Sequence, residues 1–247
     1  MEVKLVDCMP RADLDAAIVQ AARVSYGPGT KTPSDDRALI RYLMRHKHTT
    51  PFEMVEFKFR IRCPIFVARQ HMRHRTASIN EISARYSVID NVYYTPSPFR
   101  TQSSTNKQGS EEPMEDWTVM SLYIESCEKA FATYNTMLDR GVSRELARGV
   151  LPQSTYTEFY WKINLHNLLH YLKLRMDGHA QKEIQDLAKM IYTRVKELAP
   201  LTAEAFEDYV LNSLSLSGPE LSGGTLGKRE MTELGAKVNA IKSSPYI

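Results

Sequence analysis

Cysteine is scarce in this chain of 247 residues, occurring only at positions 8, 63 and 127. The number is odd, the spacing is wide and there is no CxxC pair, so reduced thiols fit better than a disulfide framework. Glycine is absent from the places where phosphate loops need it. Neither GxGxxG nor GxxxxGK[ST] occurs, which leaves side chains and helix ends to hold any phosphate. A surplus of one charge is missing too: 32 basic against 29 acidic residues give a net charge of +3. So mild a balance does not argue for coating of nucleic acid. No apolar run approaches membrane-spanning length, and the opening "MEVKLVDCMPRADLD" carries charges where a signal peptide needs an apolar stretch. A soluble, cytoplasmic protein is the expectation. With 43% hydrophobic and 25% charged residues, the chain can bury a sizeable core as one large domain or two small ones.

What is present reads as an alternation of helices with an antiparallel sheet. "EVKLVD" predicts an opening strand, and an alanine-rich helix follows over about 14–24. A second helix is predicted from Thr32 as cap and Pro33 as first residue, running to about His46 with Leu39, Ile40, Leu43 and Met44 on one face. In "MVEFKFRIR" (54–62), Val55, Phe57, Phe59 and Ile61 alternate with charged residues, the period of a half-buried strand. Pro64 opens a helix expected to carry Arg69 and Arg73 on one face, and "YSVIDNVYY" reads as a strand. The polar, breaker-rich stretch 95–113 reads as a mobile loop. The strongest helical stripe joins Trp117, Met120, Ile124, Cys127, Phe131, Tyr134 and Leu138, and it marks Cys127 as core. Helical patterns are predicted over 154–177 and 179–198, and Pro200 opens another near 201–213. The fold class is α/β of the α+β type: residues 1–214 form one domain and 215–247 a linker and tail without a functional reading.

Two segments carry chemistry. In "RHRTASINEISARY" (73–86), arginines stand among Ser78, Asn80, Glu81 and Ser83, with Arg69 just before. Guanidinium forks grip phosphate bidentately, and neutral donors and acceptors suit a heterocycle, so a nucleotide is the fitting ligand. In 143–175, Trp161, Leu165, Leu168, Leu172 and Met176 form an apolar stripe on a single predicted helix. Asn164, Tyr171 and Arg175 lie at one border and His166 and His170 on the far side, as at a subunit interface. The two histidines could equally be a surface pair. Zinc is the weaker reading, because position 167 is asparagine where HExxH has glutamate. A single-strand nucleic-acid binder would not need Glu53, Glu81 or the asparagine–histidine helix. A metal hydrolase on His71, His74, His166 and His170 lacks a carboxylate at ligand spacing. His48 could simply cap a helix end.

The stretch 73–86 resembles the signature of the flavin-dependent thymidylate synthases, whose pattern is RHR, then S, NE, S and RY at these spacings. "HTTPFE" before it and "NLHNLLHYLKLR" and "HAQKEI" after it extend the resemblance from roughly Ser25 to Tyr209. The resemblance implies reductive methylation of dUMP to dTMP, with 5,10-methylenetetrahydrofolate as carbon donor and an FAD reduced by NADPH. It further implies a homotetramer with sites assembled between subunits, no metal, no nucleic acid and no membrane. Carried over by position, Ser25, Thr50, Glu53, Arg73, His74, Arg75, Asn80, Glu81, Asn164, His166 and His170 would contact the flavin. Gln70, Arg73, Glu81, Ile82, Ser83, Ala84, Arg85, Arg148 and Arg175 would bind dUMP. Arg175 would be catalytic, favouring ionisation at uracil N3, and His48 and Tyr86 would lie where nicotinamide and folate come and go. Ser83 has no histidine base beside it in the run, so a binding role is expected of it, and no cysteine falls among the dUMP positions.

Overall fold

The alternation at 55–61 and a second one at 157–163 determine where the sheet lies. In the computed structural model, which describes residues 1–25, 35–213 and scattered positions between 215 and 239, the elements in chain order are as follows. Strand β1 spans Glu2–Met9, helices α1, α2 and α3 span Leu14–Arg23, Asp36–Arg45 and Thr50–Glu53, and strand β2 spans Glu56–Pro64. Helix α4 (Ile65–His71) leads to strand β3 (Ser78–Glu81) and the hairpin of β4 (Phe99–Gln102) and β5 (Ser110–Met114). Then come α5 (Trp117–Asp139), α6 (Arg144–Ala147), β6 (Tyr156–Asn164), α7 (Leu165–Arg175), α8 (Lys182–Leu198) and α9 (Pro200–Phe206). The described residues divide into two units, one of 1–11 with 55–194 and one of 12–54 with the residues from 195 on.

The first unit is built on an antiparallel sheet ordered β1-β2-β6-β3. Phe57, Phe59, Ile61 and Cys63 of β2 and Phe159, Trp161 and Ile163 of β6 are buried on one face, as a period of two requires. The opposite face carries Lys58, Arg60, Glu158 and Lys162, with Arg60 and Glu158 paired at 2.8 Å. Each central strand turns directly into a helix, β2 into α4 and β6 into α7. Pro64 has no N–H to lose at that junction, and the first amides of α4 donate instead to the carbonyls of Thr155 (2.9 Å) and Gln153 (3.1 Å). Helix α5 buries Cys127, Phe131 and Tyr134. It stops at Gly141, whose φ of +82° closes the helix: Gly141 N–H donates to the Leu138 carbonyl and Val142 N–H to that of Met137. That reversal brings in Arg144–Ala147 and the tight turn Arg148–Val150.

The second unit is helical. Leu14, Ile18 and Val19 of α1 and Leu39, Ile40 and Leu43 of α2 are buried in it, with Thr202, Ala203, Ala205 and Phe206 of α9. α9 has no side-chain cap of its own. Asp15 supplies one, accepting from the N–H groups of Leu201 (2.8 Å) and Thr202 (3.1 Å) and from the Thr202 hydroxyl (2.6 Å).

Four sequence expectations are corrected. Residues 156–164 are a strand, because Thr157, Phe159, Trp161 and Ile163 alternate inward; the helix begins only after Asn164, whose side chain caps it by accepting from Asn167 N–H (2.9 Å). The stretch 95–113 holds the β4–β5 hairpin rather than an open loop. "YSVIDNVYY" is not a strand: it opens in the turn at Ser83, and only its end pairs with a distant segment, where Tyr93 bridges Thr155 and Tyr94 N–H donates to the Ser154 carbonyl (2.9 Å). α4 ends at His71, so Arg73 sits in the following turn and shares no helix face with Arg69. For α2, Asp35 is the cap, accepting from the amides of Arg37 and Ala38; Thr32 and Pro33 lie outside the described residues, as does most of 215–247. Among the described residues no helix is long and apolar enough to cross a membrane.

Candidate active site

The signature stretch is divided by the fold into a turn, a strand and a second turn. Arg73, His74 and Arg75 follow α4, Asn80 and Glu81 end β3, and Ser83 to Tyr86 form the next turn. β3 is fixed by pairing with β6, Asn80 opposite Tyr160 and Glu81 opposite Phe159. Ile82 extends the pairing by donating its N–H to the Glu158 carbonyl (2.9 Å). The Ser83 carbonyl accepts from Tyr86 N–H (3.0 Å), and its hydroxyl accepts from Arg85 N–H (3.3 Å), with Ala84 inside this turn. Among the described residues no histidine hydrogen-bonds to Ser83. Glu81 accepts from the Thr157 hydroxyl at 2.5 Å, which aims its carboxylate from the end of β3.

Arg175 is the best-held cation of the group. Its Nε donates to His74 Nε2 (2.9 Å) and its Nη2 to the Gln70 carbonyl (3.0 Å), so both partners of a side chain at the end of α7 come from the α4 segment. A histidine that accepts at Nε2 must carry its proton at Nδ1. Burial, then the Arg175 charge and His170, push the His74 pKa down to about 4, so the ring is neutral at physiological pH. The His170 ring lies 6.1 Å from that of His74. Behind them His71 is fully buried, its Nδ1 2.9 Å from the Tyr171 hydroxyl, and burial with the His74 and Arg175 charges pushes its pKa down to about 3. The His71–Tyr171 contact ties α4 to α7 just where Arg175 is gripped.

Arg85 and Arg148 meet around one residue. Arg85 Nε is 3.8 Å from the Glu145 carboxylate, and Arg148 Nε donates to the Glu145 carbonyl (3.4 Å). All three side chains are exposed, so the two guanidinium groups can be reached by an anionic ligand. Arg73 and Arg75 are exposed as well and form no ion pair among the described residues. His166 is half-buried on α7, His170 exposed, and Tyr86 is 78% exposed. Asn164 keeps its amide NH2 for other partners while its oxygen caps α7.

The helical unit places Ser25, His48, Thr50 and Glu53. Ser25 follows α1, and Thr50 and Glu53 are the ends of α3, which Pro51 opens. Lys47, with φ of +58°, turns the chain so that His48 N–H donates to the Leu43 carbonyl (2.9 Å). The His48 ring then meets Tyr42 edge-on at 5.6 Å, and Tyr42 also packs on His46 at 4.4 Å.

Sequence reasoning missed a polar chain behind Gln70. The Gln70 amide donates to the Gln181 oxygen, Gln181 donates to Glu183 (2.8 Å), and Glu183 accepts from Arg100 (2.6 Å) and the Tyr94 hydroxyl (3.1 Å). "HAQKEI" holds two of these residues, but Arg100 lies in the stretch read as a loop. Among the described residues no group of three His, Cys, Asp or Glu side chains could hold a metal ion.

Residues 4–201 match the Thy1 family model, described as thymidylate synthase complementing protein. A flavin-dependent thymidylate synthase of Dictyostelium discoideum is 50% identical over 252 residues, covering 96% of this chain and 83% of that protein. One from Thermus thermophilus is 54% identical over 219 residues, covering 89% of this chain and 80% of its own length. Among solved structures, a UMP/dUMP methylase from Streptomyces cacaoi, bound with 5-Br UMP, superposes with a TM-score of 0.74 at 36% identity, covering 85% of this chain and 95% of that one. With half its positions shared over nearly its whole length, and with the signature residues gathered on strand β3 and the turns on either side of it, this chain belongs to the family of flavin-dependent thymidylate synthases.

Proposed function

We propose that the protein converts dUMP to dTMP, with 5,10-methylenetetrahydrofolate as carbon donor, a bound FAD and NADPH as reductant. Beyond family membership, the observation that carries this reading is the clamped Arg175. Two fixed acceptors hold Nε and Nη2 and leave Nη1 for a ligand. A cation so fixed stabilises a developing uracil N3 anion without having to reorganise, and that charge makes C5 the more nucleophilic carbon. Arg85 and Arg148, converging on Glu145, neutralise the dianionic phosphate. Gln70, Arg73, Glu81, Ile82, Ser83 and Ala84 complete the nucleotide site, with Ser83 in a binding role.

The residues present suit a flavin dinucleotide. Arg73 and Arg75 are cations without an ion pair among the described residues, as a diphosphate needs, and neutral His74 offers an Nδ1–H to a heterocycle. Ser25, Thr50, Glu53, Asn80, Glu81, Asn164, His166 and His170 would hold it with them. When bound, FAD supplies the two-electron redox chemistry, and the protein orients it. His48 and Tyr86 would sit where nicotinamide and folate come and go. The working form is a cytoplasmic homotetramer in which residues 1–214 carry the reaction.

The test is the visible spectrum of the purified protein and dTMP formation from dUMP, methylenetetrahydrofolate and NADPH. A flavin spectrum bleached by NADPH under anaerobic conditions, with dTMP formed on turnover, is expected. Protein that stays colourless with added FAD and yields no dTMP overturns the proposal.

A further inference from the structure

We infer that Glu183 is a positioning residue that decides which end of the Gln70 amide faces the nucleotide, so that Gln70 presents its carbonyl oxygen to a hydrogen-bond donor of the substrate. The inference deepens the proposed function and rests on it, since it takes Gln70 to be a nucleotide contact.

The argument is one of donors and acceptors. Glu183 is 3% exposed and sits in the first turn of α8, where a negative charge is favoured. Its Oε1 receives Arg100 Nη2 (2.6 Å) and the Tyr94 hydroxyl (3.1 Å), and its Oε2 receives the Gln181 amide (2.8 Å). An ionised carboxylate can only accept. Gln181 must therefore turn its NH2 toward Glu183, and its own oxygen is left facing Gln70. Gln70 must in turn direct its NH2 inward to Gln181, so its oxygen is the end left for a ligand. Two amides in series thus carry a choice made at the ion pair out to the site. Without a charge at position 183, the two glutamines could flip together and keep the same number of hydrogen bonds. With the charge, the flipped arrangement sets the Gln181 oxygen against a buried carboxylate, which is costly.

Two further facts keep the polarity fixed. Burial works against the Glu183 charge, but the Arg100, backbone and Gln181 hydrogen bonds outweigh it and leave the pKa below its ordinary value. Tyr94 is pushed up to about 12 by burial and by Glu183, so it remains a donor. Arg100 is itself anchored by Nε to the Ser110 hydroxyl (2.8 Å) across the β4–β5 hairpin. The backbone carbonyl of Gln70, distinct from its side-chain oxygen, receives Arg175 Nη2, so the residue whose side chain the relay fixes also steadies the cation proposed to activate uracil.

In dUMP the groups that could donate to a carbonyl are the deoxyribose 3′-hydroxyl and, in the neutral nucleotide before ionisation, uracil N3–H. The test is a mutant cycle on full-length, flavin-loaded protein, read as KM and kcat for dUMP. Arg100 can only donate, so the amide introduced by Glu183→Gln must turn its oxygen to Arg100 and its NH2 to Gln181. Both glutamines then reverse, and Gln70 shows an NH2 to the nucleotide. KM should rise about tenfold, the worth of one well-placed hydrogen bond, with a smaller change in kcat. Gln70→Glu, able only to accept, should also weaken binding in the native background, where it faces the Gln181 oxygen. In the Glu183→Gln background the same change should restore affinity, because Gln181 now donates to it. Rescue of one loss by another is not expected of a residue that merely supports the fold. 2′,3′-Dideoxyuridine monophosphate and N3-methyl-dUMP identify the donor: the analogue lacking it should bind native and Glu183→Gln protein equally. Should Glu183→Gln fail to fold by circular dichroism, Gln181→Met, which severs the relay but keeps the Arg100–Glu183 pair, should still raise KM for dUMP and erase that analogue's disadvantage. Additive losses in the cycle, an unchanged KM in Glu183→Gln, or an unchanged KM in Gln181→Met would overturn the inference while turnover by the native protein left the functional reading standing. Native protein that binds no dUMP would overturn both.

Discussion

Asp15 and Glu183 are both carboxylates withdrawn from water, 6% and 3% exposed, yet their partners make different devices of them. Asp15, in the helical unit, receives two backbone N–H groups and one hydroxyl at the start of α9. All three donors are neutral, belong to one helix turn and have nothing further to pass on, so the effect of the charge ends there. Glu183, in the sheet unit, receives a guanidinium, a phenol and an amide. The amide has a second end, so the effect of the charge continues through Gln181 to Gln70. A buried acid is local or long-ranged according to whether its donors have another face. The consequence for function is that disturbing Asp15 should cost stability alone, and disturbing the Glu183 side should change how ligand is held.

The largest effect should come beside the end of the Glu183 chain, at Arg175, which donates to the backbone carbonyl of Gln70. Arg175→Ala should lower dTMP formation about a hundredfold or more while flavin content stays near native, since the His74 and Gln70 partners can take up water. Arg175→Lys should rescue little, because an ammonium on a flexible stem cannot meet two acceptors and a ligand as a planar fork does. Turnover assays normalised to bound flavin measure this. Full activity of Arg175→Ala would remove the functional half of the comparison.

Next in size is Asp15→Ala. It leaves two α9 amides without a cap and should cost about 2–3 kcal/mol of stability. A denaturant titration gives the loss, and turnover of the folded, flavin-loaded fraction should match the native protein. If turnover per flavin fell with stability intact, Asp15 would be no local cap.

Legibility follows the same division between local and distant. The faces of α2 and β2 could be read from period alone, since Leu39, Ile40 and Leu43, and Phe57, Phe59 and Ile61, are buried as their spacing demands. The signature residues 73–86 were visible because they are contiguous. β6 was hidden by a coincidence: Trp161 lies four before Leu165, so a helical stripe could be drawn straight through the strand-to-helix junction that Asn164 caps. The β4–β5 hairpin looked like a loop because its composition is polar. Its order comes from pairing and from Arg100 reaching Glu183, eighty-three positions away. The relay itself joins residues 70, 100, 181 and 183, and no local pattern encodes such a set. Reading Arg73 onto α4 failed for a smaller reason, the helix closing at His71 within two residues of it.

The histidines sharpen the comparison through pH. His74 and His71 have folded pKa values of about 4 and about 3 against an ordinary 6.5, each depressed first by burial. Their unfolded forms therefore bind protons first as pH falls. Stability should be at its full value above pH 6.5 and decline below it, until each folded ring is also protonated near pH 4 or 3. Each fully shifted histidine can contribute a slope of up to about 1.4 kcal/mol per pH unit, and the partly exposed His74 less. Glu183 is depressed from 4.5, so its share is full above that pH and is lost as pH falls below it. Melting curves from pH 8 to 4 should show the decline, and His71→Phe, if folded, should flatten it. A profile level down to pH 4.5 would contradict the assignment of neutral, buried rings.

The smallest effect should come from the cysteines, of which Cys63 and Cys8 complete the comparison as acids that no cation holds ionised. Cys63 lies fully buried at the β2–α4 junction, and burial with the nearby Glu81 charge pushes its pKa up to about 12, so the thiol keeps its proton. Cys127 is buried beside the Ser154 hydroxyl at 3.5 Å, within the apolar side of α5. Cys8 is half-exposed on β1, and burial and Asp7 raise its pKa in spite of the Arg11 charge. A thiol is a nucleophile only as thiolate, and the surroundings of Cys63 and Cys8 both favour the protonated form, unlike those of Glu183 with Arg100. Replacing all three by alanine should therefore cost about 1 kcal/mol at each buried site through lost packing and leave dTMP formation per bound flavin within about twofold of native. Native protein treated with iodoacetamide should be modified at Cys8 ahead of the other two, without loss of turnover. Abolished turnover in a cysteine-free protein that still folds and holds flavin would show that one of these thiols is ionised in use, and that a buried acid here can act without the partners that distinguish Glu183.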